Sequence, residues 1–273
     1  MPLQKTTAAM VLAALMTAAA GASPLLPHRA IYDLALDPER SGTQVDRARG
    51  RIAFQLTGSA CEGYTITLRQ VTSLDTGEGQ ETVSDLRSES WENGPATSYR
   101  FKTQNYINRK IREDVNGAAM RLKNGAVAVR VAKPKPANFN LRGPVLLPTE
   151  HTREILAAAE RGEKLLSARV FDGSPDGRKI YETLTVIGAP IAPGDGKAPL
   201  EALAAFKRYP VTISYFEIGN NDRTPAYTLA YDLYENGVSG ALRLNYGSFA
   251  LRGVLSSVVM LPQKPCNQPR AKR

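Results

Sequence analysis

From His28 onward, apolar residues recur mostly at every second position, the period of an antiparallel strand with one dry and one wet face. Residues 46–56 set Ala48, Gly50, Ile52, Phe54 and Leu56 against charged or polar neighbours, apart from Ala53. Residues 63–73 set Tyr64, Ile66, Leu68 and Gln70 against Thr65, Thr67, Arg69 and Val71. The same pattern predicts strands over residues 28–36, 80–91, 97–105, 107–115, 118–123 and 126–132. Asn93-Gly94, Asn116-Gly117 and Asn124-Gly125 fall at the breaks, and Asn-Gly is the strongest short-range hairpin signal. Later strands are predicted over 165–171, 179–187, 210–218, 226–234, 238–245 and 249–261, with Asn236-Gly237 as a tight turn.

The middle of the chain departs from this period. Residues 133–148 are rich in Pro and Asn and read as a crossing loop. A helix is predicted over 149–161, with Thr149 as its N-cap, Glu150 and Glu154 in its first turns and Gly162 ending it. Its apolar stripe, Ile155, Leu156 and Ala159, is wide enough to dock on a sheet and too narrow to stand alone. Residues 188–199 form a Pro/Gly loop, and 200–205 could make a second, short helix with Pro199 in its first turn. The expected fold class is therefore all-β and mainly antiparallel, with about fourteen strands. So many strands must curl or close, because an open sheet exposes its edges; a rolled sheet or open barrel follows. Two small sandwiches split near residues 133–148 are the alternative.

The first 22 residues are poor material for such a fold. Lys5 is their one charge, and it precedes an Ala-rich apolar run over residues 8–20 that ends in Ala20-Gly21-Ala22, an A-x-A-type cleavage signal. The run is shorter and less apolar than a membrane-spanning helix requires. Residues 1–22 are read as a secretory signal peptide cleaved near Ala22, an uncleaved anchor being the alternative, and residues 23–273 as one exported domain. Export makes the compartment oxidising, so the two cysteines, Cys61 and Cys266, are expected to form a disulfide, with two free thiols as the alternative. Neither lies in a C-x-x-C motif, which argues against a redox enzyme.

The formal net charge is +9, one unit of it on Lys5. The densest basic cluster, Asn108-Arg109-Lys110-Ile111-Arg112, alternates as a strand would, and blocks of like charge that mark a nucleic-acid arm are missing. Weak attraction to anionic envelope components fits this charge, as does simple solubility.

Catalytic motifs are scarce. There is no G-x-S-x-G elbow, no P-loop and no G-x-G-x-x-G fingerprint. The two histidines, His28 and His151, are far apart in sequence and do not suggest a metal site. His151 could act as a base, although a solvated histidine at a helix start is the simpler reading. Residues 172–177, Asp-Gly-Ser-Pro-Asp-Gly, resemble a calcium loop but lack its alternating ligands and terminal Glu, so a hairpin loop is expected. Aromatic residues give a softer signal. Trp91, Tyr99 and Phe101 flank one predicted turn and are candidate contacts for an apolar ligand, because a large roll can enclose more space than its side chains fill. Core packing accounts for most of the remaining aromatics, including Tyr227, Tyr231, Tyr246 and Phe249.

Several stretches together resemble the EipB cell-envelope-integrity proteins of alphaproteobacteria. They are Leu26-Pro27-His28-Arg29-Ala30-Ile31-Tyr32-Asp33-Leu34, Leu147-Pro148-Thr149-Glu150-His151, Val170-Phe171-Asp172-Gly173-Ser174, and Val186-Ile187-Gly188. The resemblance implies a periplasmic protein whose antiparallel sheet rolls into an open, spiral barrel similar to lipid and lipoprotein carriers. It implies one disulfide, Cys61 to Cys266, a periplasmic helical-repeat protein partner, and no catalytic residue or cofactor. The leading expectation is a non-enzymatic envelope factor binding an apolar or lipid-like ligand in its interior, a protein partner, or both. A pure interaction scaffold with a filled barrel is one alternative, and a cell-wall hydrolase or esterase using His151 is another.

Overall fold

In a computed structural model that describes residues 24–39, 45–77, 81–195, 200–219 and 224–263, the alternating segments pair into one fourteen-stranded antiparallel sheet. The first eight strands are β1 (His28–Leu36), β2 (Arg47–Ser59), β3 (Gly63–Asp75), β4 (Glu81–Glu92), β5 (Ser98–Ile107), β6 (Lys110–Arg121), β7 (Val127–Lys133) and β8 (Ala137–Leu141). Helix α1 (Pro148–Glu160) follows. The remaining strands are β9 (Leu165–Val170), β10 (Tyr181–Ile187), β11 (Arg208–Glu217), β12 (Tyr227–Tyr234), β13 (Ser239–Asn245) and β14 (Ala250–Met260). The proposed signal peptide over residues 1–22 and Cys266 lie outside the described residues.

The strand order shows how the chain is routed. It begins mid-sheet at β1, meanders outward to the edge strand β8, crosses through α1 to the opposite edge β9, and meanders back to β14 beside β1. Every neighbouring pair but one is therefore a local hairpin; β1 with β14 is the exception, and β8 does not pair with β9. The apolar stripe of α1 explains where the helix goes. Ile155, Leu156 and Ala158 are fully buried, in one cluster with Ala30 and Tyr32 of β1, Ile52 of β2 and Ile213 of β11. A helix this short gains its stability from such packing. A second apolar cluster fills the β5–β8 side around Phe101, Val129 and Phe171.

The strand count agrees with the expected one through two offsetting differences. Asn116-Gly117 does not turn; β6 runs through it with a bulge opposite Lys133 and Val131. Gly117 is needed for close approach, since a Cβ there would lie 2.6 Å from the Phe101 ring and 2.6 Å from the Arg130 carbonyl. The hairpin falls instead at Asn108-Arg109, where both residues have positive φ, 49° and 65°, as a two-residue primed turn demands. The cluster at 108–112 is therefore a turn and a strand start. The lost strand is replaced by β8, inside the expected loop, where Phe139 and Leu141 alternate with Asn138 and Asn140. The second helix shrinks to a single 3-10 turn, Glu201–Leu203.

Helix α1 also starts differently from expectation. Leu147 is the N-cap and Pro148 occupies the first turn, while Thr149 is buried and caps nothing. At the other end the Gly162 N–H donates to the Ala159 carbonyl and the Glu163 N–H to the Ala158 carbonyl, with Gly162 at φ 77°. That is a Schellman motif, and Gly162 ends the helix as expected.

Candidate functional site

Two charged side chains from the sheet fix the start of α1 inside the roll. The Glu92 carboxylate, at the end of β4, accepts the backbone N–H of Thr149 at 2.8 Å and of Glu150 at 2.9 Å. It thus supplies what the helix's first turn lacks, partners for its free N–H groups and a negative charge against its dipole. Glu92 is 1% exposed, and Arg153 stands 4.0 Å away. Burial raises the Glu92 pKa despite the bonds from Thr149 and Glu150. Arg121, at the end of β6, donates to the Ala96 and Val145 carbonyls and forms a 2.6 Å ion pair with Glu150. The Glu150 carboxylate also accepts the Leu147 N–H.

Alongside the helix lies a cavity of about 230 Å³. Apolar side chains of β2 and β3 (Phe54, Leu56 and Ile66) form one wall, and His151 and Thr149 of α1, Asp172, Tyr215 and Tyr231 supply polar groups. His151 is 4% exposed, and burial holds its pKa down at about 4, so it is neutral at ordinary pH. Its Nε2 finds no hydrogen-bond partner among the described residues, so no nucleophile is held against it. Asp172 is raised by burial, and one carboxylate oxygen accepts the N–H and hydroxyl of Ser174. This local turn holds one carboxylate oxygen of Asp172 in residues 172–177. Among the described residues no group of three or more His, Cys, Asp and Glu is placed to hold a metal ion. Tyr181, Tyr215 and Tyr227 stack nearby, Tyr215 and Tyr227 at 4.3 Å between ring centroids, and burial raises all three hydroxyl pKa values.

The candidate aromatic contacts do not meet in one wall. Tyr99 and Phe101 stack at 5.6 Å within the β5–β8 core, edge-on to Phe171, and the Tyr99 hydroxyl donates to the Asp172 carbonyl. Trp91 lies on the opposite face of the sheet, under the Arg100 guanidinium at 4.5 Å. The alternation that puts Tyr99 and Phe101 inward puts Trp91 outward, because Trp91 is registered with Arg100. Glu92, the residue that organises the interior, carried one sequence signal, its inward parity. That signal is weak beside Ser84, Ser88 and Ser90, which share the face. These residues make the inner surface of β4 polar, with Ser84 bonded to Asn105 and Ser88 to Thr103.

A helix capped inside an open, fourteen-stranded antiparallel roll defines a barrel-like protein. Residues 19–262 match the profile of the EipB-like family, and the chain belongs to that family. It is 35% identical over 239 residues to the cell envelope integrity protein EipB of Brucella abortus (strain 2308), covering 87% of this chain and 85% of that protein. It also resembles the crystal structure of a beta-barrel-like protein of a domain of unknown function from Brucella abortus. That match has a TM-score of 0.81 and 33% identity, and covers 87% of this chain and 99% of that one. Among the described residues no helix is long and apolar enough to cross a membrane.

Proposed function

We propose that this protein is a non-enzymatic periplasmic factor that maintains envelope integrity by docking other proteins, rather than by carrying a lipid in its interior. The observation that carries this reading is the occupied roll. Helix α1 fills one side of it, and the cavity beside the helix measures about 230 Å³. Pockets that bury small ligands usually measure about 300–1,000 Å³, more than this cavity offers. The hydroxyl and amide pairs lining β4 and β5 are also a poor surface for an acyl chain. A small amphiphile is the second reading, favoured by the apolar wall of Phe54, Leu56 and Ile66 facing the unpartnered His151 Nε2.

Residues 1–22 would direct export and residues 23–273 would form one domain, a reading supported by the single continuous sheet. The Cys61–Cys266 disulfide fits the topology. Cys61 sits in the turn after β2, and β14 leaves the sheet at the same end, its last residue Met260 registered with His28, which is registered with Leu56. A periplasmic helical-repeat protein is the expected partner class. The test is a deletion strain challenged with detergent and complemented with the wild-type gene. Restored resistance and native mass spectra without bound lipid are expected; normal resistance in the deletion would overturn the envelope role, and a stoichiometric lipid would overturn the docking reading.

A further inference from the structure

The two edges of the sheet are finished differently. On β8 the exposed positions are Asn138 and Asn140, and Pro134 and Pro136 precede the strand, which are common ways of blunting an edge. On β9 the exposed residues are Leu165, 61% accessible, and Ser167, with Leu184 and Val186 of β10 exposed beside them. The register decides which backbone groups are free. The Ile187 N–H donates to the Lys164 carbonyl, so the hydrogen-bonded pairs of this ladder fall at Leu166, Ala168 and Val170. Leu165, Ser167 and Arg169 therefore turn their N–H and C=O groups to the open side.

The chain itself shows that this side accepts a strand. Leu146 donates to the Arg169 carbonyl and accepts from the Phe171 N–H, one residue of parallel pairing before the chain turns away into α1. Leu165 and Ser167 are left with no backbone partner on that side among the described residues. A groove of about 570 Å³ runs beside Ser167, with apolar walls from Leu146, Leu166, Leu184 and Phe216. Its charged lining is two carboxylates, Glu154 and Glu182, against Arg169, whose Nη1 already donates to the Arg142 carbonyl. Glu154 is already paired with Arg161 at 3.2 Å, so Glu182, with no ion pair among the described residues, is the carboxylate left to meet a partner.

We propose that β9 takes up an extended peptide of a partner protein as an added strand, with apolar side chains alternating with basic ones. Backbone bonds to Leu165 and Ser167 hold it, inward side chains fill the groove, and a basic side chain meets Glu182. This rests on the docking reading above and names the surface and the chemistry of the segment. The protein's own described C-terminal residues leave the sheet at β14, mid-sheet and far in strand order from β9, so they are not the occupant.

The test uses the full-length exported protein and a blocked heptapeptide alternating lysine and valine, with a glutamate–valine peptide as control. Saturable binding of the lysine peptide is expected, with hydrogen-exchange protection gained at Leu165 and Ser167. General attraction to a basic protein would favour the glutamate peptide instead, and that order of affinities overturns the proposal. Ser167→Pro removes an N–H that faces outward and so spares the fold, as proline does on edge strands. It should weaken the lysine peptide at least about tenfold. Equal affinity for Ser167→Pro and wild type, or protection elsewhere in the wild type, also overturns it. In either case native mass spectra without bound lipid leave the docking reading standing, whereas a stoichiometric lipid sinks the docking reading itself.

Discussion

Replacing Glu92 by Ala tests whether the start of α1 depends on a carboxylate brought from β4. The substitution orphans the Thr149 and Glu150 N–H groups, each at about 1–3 kcal/mol, and leaves Arg153 without its nearest anion. It also removes the cost of burying the carboxylate, which is the cause of the raised pKa. The balance is a loss of about 3 kcal/mol, or about 6–12 °C in melting temperature for a domain of this length. Glu92→Gln keeps one acceptor and sets an amide against the other N–H, so its loss falls between wild type and Ala. The pH dependence separates the terms. Because the folded-state pKa is raised, the penalty on ionised Glu92 is absent below the ordinary carboxylate range and appears as pH rises through the raised value. Wild type should therefore gain on Glu92→Gln as pH falls. Circular dichroism melts of the three proteins between pH 4 and 8 are the assay. An Ala variant melting within about 2 °C of wild type would refute the capping argument.

Three further outcomes follow from the same geometry. His151 is held neutral by burial with a pKa of about 4, so its contribution is present above its ordinary value and is lost as pH falls toward 4; His151→Gln should remove about 3 kcal/mol of acid sensitivity. The same variant, like His151→Ala, should still restore detergent resistance, and failure in a folded variant would revive a hydrolase. Cys61→Ser, or added reductant, should lower the melting temperature, since a disulfide to Cys266 would close a loop worth about 5 kcal/mol by chain-entropy reasoning; an unchanged melt would make the bond incidental. Gly173→Ala places a side chain at φ 81° and against the Phe101 ring, so a loss of about 2–4 kcal/mol with altered near-ultraviolet circular dichroism is expected.

Much of the sheet could be read from the sequence because each strand has one dry face, and a one-residue slip would move that face into water. Residues 28–36 show this well: Ala30, Tyr32 and Leu34 are buried alternately with exposed or half-exposed neighbours. The sequence misleads where a local signal competes with a tertiary one. Asn116-Gly117 is a strong turn dipeptide, but here its glycine makes room for Phe101, while Asn108-Arg109 turns without the glycine that would advertise it. β8 was hidden by the prolines before it. The interior was least legible. Glu92 and Arg121 act on a helix start more than 25 residues away, and no periodicity predicts which inward position will meet it. Trp91 does not share the face of Tyr99 and Phe101, because parity across a hairpin depends on the register of its turn.

The routing of the chain bears on how the sheet is assembled. A polypeptide emerging from its N-terminus can zip β1 through β8 hairpin by hairpin, each pairing only with the strand just made. The far side of β1, however, waits for β14, the last strand to appear, so Ala30 stays unpaired with Val258 until some 228 residues later. Contacts of that separation form slowly and leave an adhesive edge exposed meanwhile. The nascent first half is therefore the aggregation-prone form of this protein. A chaperone that shields β1 during synthesis, or truncation before β14, should affect yield far more than the same length removed from the edge at β8.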